Sequence, residues 1–98
     1  MKSLADFKRL AVTGALFERS FPNNVRVSDG KTLPPSLRKV SHVQSNAVAF
    51  VEPHEEDGQQ RSWFYFPKTK RLRFDDGVMT LLYDDGTPCL TLKHVGSS

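Results

Sequence analysis

The sequence predicts a mainly β protein (α+β) in which a short N-terminal helix packs on a highly curved antiparallel sheet or a small SH3-like barrel of about six strands. Three observations lead to this prediction. Apolar residues follow helical spacing near the N-terminus, and strand-like alternation recurs through the rest of the chain. Turn residues separate the alternating segments, with Asp-Asp-Gly at 75–77 and again at 84–86.

The helix is predicted over residues 4–11. Ser3 followed by Asp6 resembles a capping box in which aspartate replaces the usual Glu or Gln. A helix this short is not stable alone, so we expect its apolar stripe to dock across an open end or an edge of the sheet. The stripe consists of Leu4, Phe7, Leu10 and Ala11.

Strands are predicted where alternating or apolar runs end in turn residues. We expect the interval 23–37, which contains Pro34 and Pro35, to be a long loop or a pair of irregular arms, with another short strand at 25–28. One helical turn is expected at 68–70, because Pro67 cannot give an amide hydrogen to a ladder and ends the strand before it. Residues 1–95 are predicted to form one domain, and 96–98 a disordered tail. The predicted strands are 15–21, 38–44, 47–52, 61–66, 72–74 with 78–83, and 87–95.

Composition limits the class of protein. A chain of 98 residues buries only about 60–65% of its unfolded surface, which favours one core. The formal net charge of +3 mildly favours polyanionic partners. The single cysteine, Cys89, gives no disulfide or cysteine-based zinc site within the chain and favours a reducing compartment. With no signal-like apolar block and no apolar run of bilayer length, we expect a cytoplasmic protein without a membrane partner.

The most informative segment for function is 61–74, which holds the only tryptophan and contains no acidic residue. Alternation places Trp63 and Tyr65 on one side of a strand and Phe64 and Phe66 on the other, so that one face can anchor a core while the other presents rings beside charge. Cations bind phosphates, and exposed rings stack on bases with about 1–3 kcal/mol per base. The predicted nucleic-acid or partner-binding residues are Arg61, Trp63, Tyr65, Lys68, Lys70, Arg71 and Arg73. Arg26, Arg38 and Lys39 extend this surface if the Arg38 strand pairs beside it.

The same residues also permit a purely structural interpretation, in which both rings belong to the core and the cations form an ordinary solvated face. A separate alternative comes from a resemblance. Residues 63–68, Trp-Phe-Tyr-Phe-Pro-Lys, are followed by a strand, an acidic glycine turn and a final hairpin. Over about residues 40–95 this pattern resembles small uncharacterised proteins of phages and other mobile elements.

The resemblance implies no established activity and assigns no functional residue. It leaves open a protein-binding inhibitor or adaptor, for example of the anti-defence or anti-CRISPR type, that blocks a host protein. Its contacts would use the aromatic strand, an exposed edge or the 23–37 interval. Aromatic and arginine side chains are common anchors of protein interfaces.

No residue pattern indicates catalysis, a metal or a cofactor, so a non-enzymatic protein is predicted. His42, His54 and His94 fall on three predicted elements without metal-site spacing. The paired aspartates beside glycine are explained by turn formation. An acidic group matches no EF-hand spacing and is predicted to be a solubilising hairpin tip that can also steer a protein partner. It consists of Glu52, Glu55, Glu56 and Asp57, with His54 among them.

Overall fold

The computed structural model of the protein describes residues 2–23, 34–53 and 61–97. In these residues one α-helix precedes seven strands, and a 3-10 turn at Thr69–Arg71 leads into the fifth strand. The elements are α1 (Leu4–Leu10), β1 (Ala15–Ser20), β2 (Ser36–Gln44), β3 (Ala47–Val51), β4 (Ser62–Tyr65), β5 (Leu72–Asp75), β6 (Val78–Leu82) and β7 (Pro88–Ser97).

The strands form one antiparallel sheet in the order β4-β3-β2-β1-β7-β6-β5, which curls strongly into a half-barrel. Register shifts interrupt the pairing of β1 with β7, β2 with β3 and β6 with β7, and such bulges increase local twist. The edge strands are β4 and β5, and no pairing joins them in the described ranges. The chain passes from one edge to the other through residues 66–71. The predicted mainly β fold, a short helix on a highly curved antiparallel sheet, is confirmed.

The N-terminus of α1 is capped, but not by a complete capping box. Ser3 Oγ accepts a hydrogen bond from the Asp6 amide at 3.2 Å. The Asp6 carboxylate accepts from the Lys2 amide at 2.9 Å, where a box would use the Ser3 amide, and it also pairs with Arg9. The cap therefore fixes where the helix begins and orders the residue before it.

The core is centred on Phe7 of α1, whose side chain is completely buried. Its ring centroid lies 5.3 Å from that of Phe17 on β1 and 6.1 Å from those of Phe64 on β4 and Phe66 just after it. One helical side chain thus joins the central strand to an edge strand. Lys8 and Ala11 border the same shallow cavity as residues 43–45, so α1 lies at the end of the sheet that carries the β2–β3 turn.

Two boundaries differ from the sequence prediction by more than one residue. β2 begins at Ser36, inside the predicted 23–37 loop, because Ser36 pairs with Arg19 of β1. β7 continues to Ser97, where a disordered tail was predicted for 96–98. No apolar residue follows Val95, but Ser97 still pairs with Ala15. Backbone hydrogen bonds between strands form without a side chain that packs in the core. Residues 24–33, with the strand predicted at 25–28, lie outside the described residues, as do residues 54–60.

Candidate functional site

The outer face of β4 carries two exposed aromatic rings. Trp63 and Tyr65 are 37% and 64% exposed, and their ring centroids lie 6.3 Å apart with an interplanar angle of 28°. Phe64 between them is only 9% exposed and points into the core. Trp63 and Tyr65 therefore form a stacked pair on an edge strand.

Small residues on the neighbouring strand make room for these rings. Ala49 of β3 lies opposite Trp63, and Ala47 lies opposite Tyr65. Both alanines are 0% exposed, so the larger side chains around them cover them completely. A bulkier side chain at either position would displace the rings from the sheet.

A third ring extends the pair across the sheet. His42 of β2 lies opposite Ala49, and its ring centroid is 6.4 Å from that of Trp63. The His42 Nδ1 atom is 3.1 Å from Ser41 Oγ, which donates to the Ala49 carbonyl oxygen at 3.4 Å. The exposed side chains of His42, Trp63 and Tyr65 form what we call the outer aromatic row.

The strands that carry the outer aromatic row contain no acidic residue. Neither aspartate nor glutamate occurs in β2, β3 or β4, although Glu52 directly follows β3 and pairs with Arg38 on the concave face. Three further cations, Arg61, Lys68 and Lys70, are exposed just before β4 and in the connection that follows it. Within the described ranges none of these three takes part in an ion pair. Lys70 nevertheless borders a cavity with Arg71 and Asp84, so it lies toward the β5 side of the sheet.

The other two predicted cations lie at the opposite edge of the sheet and have partners. Arg71 Nε donates to the Leu82 carbonyl at 3.1 Å and lies 3.7 Å from Asp84 Oδ1. Arg73 Nε donates to Asp75 Oδ2 at 3.0 Å. The predicted seven-residue surface is therefore divided between β4 with its connection and β5 with its acidic neighbours.

The proposed extension of this surface is not contiguous with it. β3 separates β2 from β4, so the Arg38 strand does not pair beside the aromatic strand. Arg38 lies opposite Phe17 on the concave face, while the Lys39 ammonium is 3.5 Å from the Pro53 carbonyl. Arg26 lies outside the described residues.

The remaining polar candidates are dispersed. The His94 ring packs on Phe17 at 5.3 Å, and Glu52 Oε1 lies 3.4 Å from Arg38 Nη1. The other members of the acidic group fall in 54–60, outside the described residues. Among described residues, no three or more His, Cys, Asp or Glu side chains are grouped to hold a metal ion. The same part of the chain contains no helix with the length and hydropathy of a membrane span.

Comparisons with known proteins give no relative for this chain: no family model matches it, and no curated protein or solved structure is significantly similar to it.

Proposed function

We propose that this protein is a small, non-enzymatic, cytoplasmic module that binds single-stranded nucleic acid through the outer aromatic row. The observation that carries the proposal is the stacked, exposed pair of Trp63 and Tyr65 in a part of the sheet without carboxylates. Bases stack on exposed rings regardless of their identity, because every base has a π-face. The row therefore favours strand binding with little sequence preference.

Cations close to the row in the sequence supply the electrostatic part of the interaction. Arg61, Lys68 and Lys70 flank the aromatic strand on both sides along the chain. Each phosphate neutralised on a single strand releases counterions, with a slope of about −0.7 in log affinity against log salt. Three such contacts predict a loss of about 20-fold between about 50 mM and about 200 mM salt.

A protein partner is the second candidate, and a specific feature favours it. β4 is an edge strand with β3 on one side only, so its other side can accept a strand from a partner. Trp63 and Tyr65 would then anchor the interface beside the added strand. In this alternative the protein is an inhibitor or adaptor of a host protein, encoded by a phage or another mobile element.

Fluorescence anisotropy of labelled oligonucleotides tests the leading proposal. Single strands are expected to bind more tightly than duplexes of the same length, and affinity is expected to fall steeply with salt. Tyr65→Ala should weaken binding about tenfold, since one stacked base is lost. Lys68→Glu with Lys70→Glu should weaken it further and flatten the salt dependence.

The matched control is Arg73→Glu, which changes a cation at the other edge of the sheet that already has an acidic partner. It should leave affinity within about twofold. The nucleic-acid proposal fails if no oligonucleotide binds at about 50 mM salt. It also fails if Arg73→Glu is the only variant that weakens binding. A salt-tolerant complex with a protein partner, lost in Tyr65→Ala, would support the second candidate.

A further inference from the structure

The concave face carries a cavity that also borders Trp63 of the outer aromatic row. Its volume is about 190 Å³, and its wall combines one arginine with aromatic and aliphatic side chains. It lies where β1 ends and β7 begins, at the end of the sheet opposite α1. The lining includes Arg19, Phe21, Phe50, Phe64, Leu90 and Leu92.

Two arginines lie on the cavity's side of the sheet. Arg19 belongs to its lining, and Arg38 on the neighbouring strand faces the same concave side opposite Phe17. Burial and the nearby Arg38 charge lower the pKa of Arg19 below its usual value, which agrees with two guanidinium groups held close together. Like charges at short range favour an anion between or beside them.

Both guanidinium groups retain unused donors. The Nε atoms of Arg19 and Arg38 are buried and have no hydrogen-bond partner in the described structure. An unsatisfied buried donor destabilises the fold, and more so when it is charged. The guanidinium carbon of Arg19 lies 5.2 Å from the centroid of the Phe21 ring, a cation–π contact that uses none of the N–H donors in a hydrogen bond.

We propose that this cavity binds a carboxylate carried on one apolar or aromatic group, such as the C-terminal residue of a peptide or a small aromatic acid. A guanidinium presents parallel donors that match the two oxygens of a carboxylate. The apolar lining would cover the attached group. The site shares Trp63 with the outer aromatic row, but its arginine and its ligand differ from those of the proposed nucleic-acid surface.

Two observations favour a carboxylate ligand that carries a single ring. Arg38 already lies 3.4 Å from a carboxylate of the chain, that of the largely exposed Glu52, which leaves its own Nε unused. A cavity of about 150 Å³ holds a benzene molecule, so about 190 Å³ matches one ring with its acid group. Larger ligands such as nucleotides would extend beyond it.

Titration of the isotopically labelled 98-residue protein with phenylacetate at constant ionic strength tests the proposal. The Nε–Hε resonances of Arg19 and Arg38 should shift in a saturable way, while that of Arg73 should not. Phenylacetamide, the neutral analogue, should bind at least tenfold more weakly. A tripeptide ending in phenylalanine distinguishes the sources: tighter binding than phenylacetate indicates a peptide terminus, and weaker binding indicates a small acid.

Substitutions of the charged residues provide a second test of carboxylate binding. Arg19→Lys keeps the charge but loses the planar fork, and should weaken phenylacetate at least tenfold, whereas the matched Arg73→Lys should have no effect. Glu52→Gln should strengthen binding severalfold by freeing Arg38. Equal affinity for acid and amide, tighter binding of phenyl phosphate, or unshifted Nε resonances would overturn the proposal. A tenfold gain in phenylacetate affinity on replacing the carboxylates at 55–57 by amides would also overturn the proposal. It would mean that the chain's own acidic segment competes for the cavity.

Discussion

The two faces of β4 carry the same kind of side chain in opposite surroundings. On the inner face, Phe64 packs against Phe7 and Phe66 with ring centroids 6.1 Å apart in both cases. On the outer face, Trp63 and Tyr65 contact each other and keep 37% and 64% of their surface exposed. Successive side chains of a strand point to opposite sides, so neighbouring residues enter different environments.

The difference teaches that aromatic content by itself does not assign a role. The inner ring is covered because α1 places Phe7 over it, and burying such a ring stabilises the fold. The outer rings lie over two fully buried alanines and have no covering element in the described ranges. Exposed rings that do little for the fold are free to contribute to binding, and two measurements can test this division.

The largest effect is expected from comparing alanine substitutions on the inner and outer faces of β4. Phe64→Ala should lower the free energy of unfolding by about 3 kcal/mol, because it leaves a cavity among core rings. Tyr65→Ala, one residue away, should cost at most about 1 kcal/mol, mainly through lost strand propensity. Denaturant titration of both variants measures the contrast. Equal losses would show that the outer row belongs to the core.

An intermediate effect is expected from filling the space under the outer rings. Ala49→Leu should cost about 1–3 kcal/mol and push the Trp63 ring toward solvent, because Ala49 is fully buried between Trp63 and His42. Trp63 is the chain's only tryptophan, so its emission should shift to longer wavelength. Val43→Leu, at a position 50% exposed, is the control. An unchanged emission spectrum in Ala49→Leu would contradict the geometry of the row.

The smallest effect concerns the β6–β7 turn, away from both faces of β4. Hydrogen bonds from the Thr87 hydroxyl and amide hold the pKa of Asp85 below its usual value. Because the folded pKa is the lower one, the stabilisation is present above the unfolded pKa of about 3.9 and is lost as pH falls through the folded value. Thermal melts between about pH 2 and 5 should show less acid sensitivity in Asp85→Asn than in the unaltered protein. Identical pH profiles for Asp85→Asn and the unaltered protein would mean that the Asp85 hydrogen bonds do not contribute to stability. Asp76→Asn, in the other Asp-Asp-Gly turn, is the control.

Part of the candidate site was accessible from sequence. The alternation of 61–66 placed Phe64 and Trp63 on opposite faces, because side-chain direction in a strand depends only on position, but it left open which face is inward. His42 was missed as a neighbour of Trp63, since that contact depends on a register shift between β2 and β3. The separation of Arg71 and Arg73 from the rings was also missed. Nothing in a continuous basic segment indicates that its ends lie on opposite edges of one sheet.

The sequence by itself determined the features that depend on nearby residues: the capped helix, the hairpin turns at Gly77 and Gly86, the helical turn after Pro67 and the mainly β class. These follow from backbone preferences and from alternation over a few positions. Only the tertiary structure decided which strands lie at the edges, which rings have alanines beneath them and that Arg38 lies on the same side of the sheet as the cavity lined by Arg19. Such relations join residues far apart in the chain, so they arise from strand order, register and sheet curvature together.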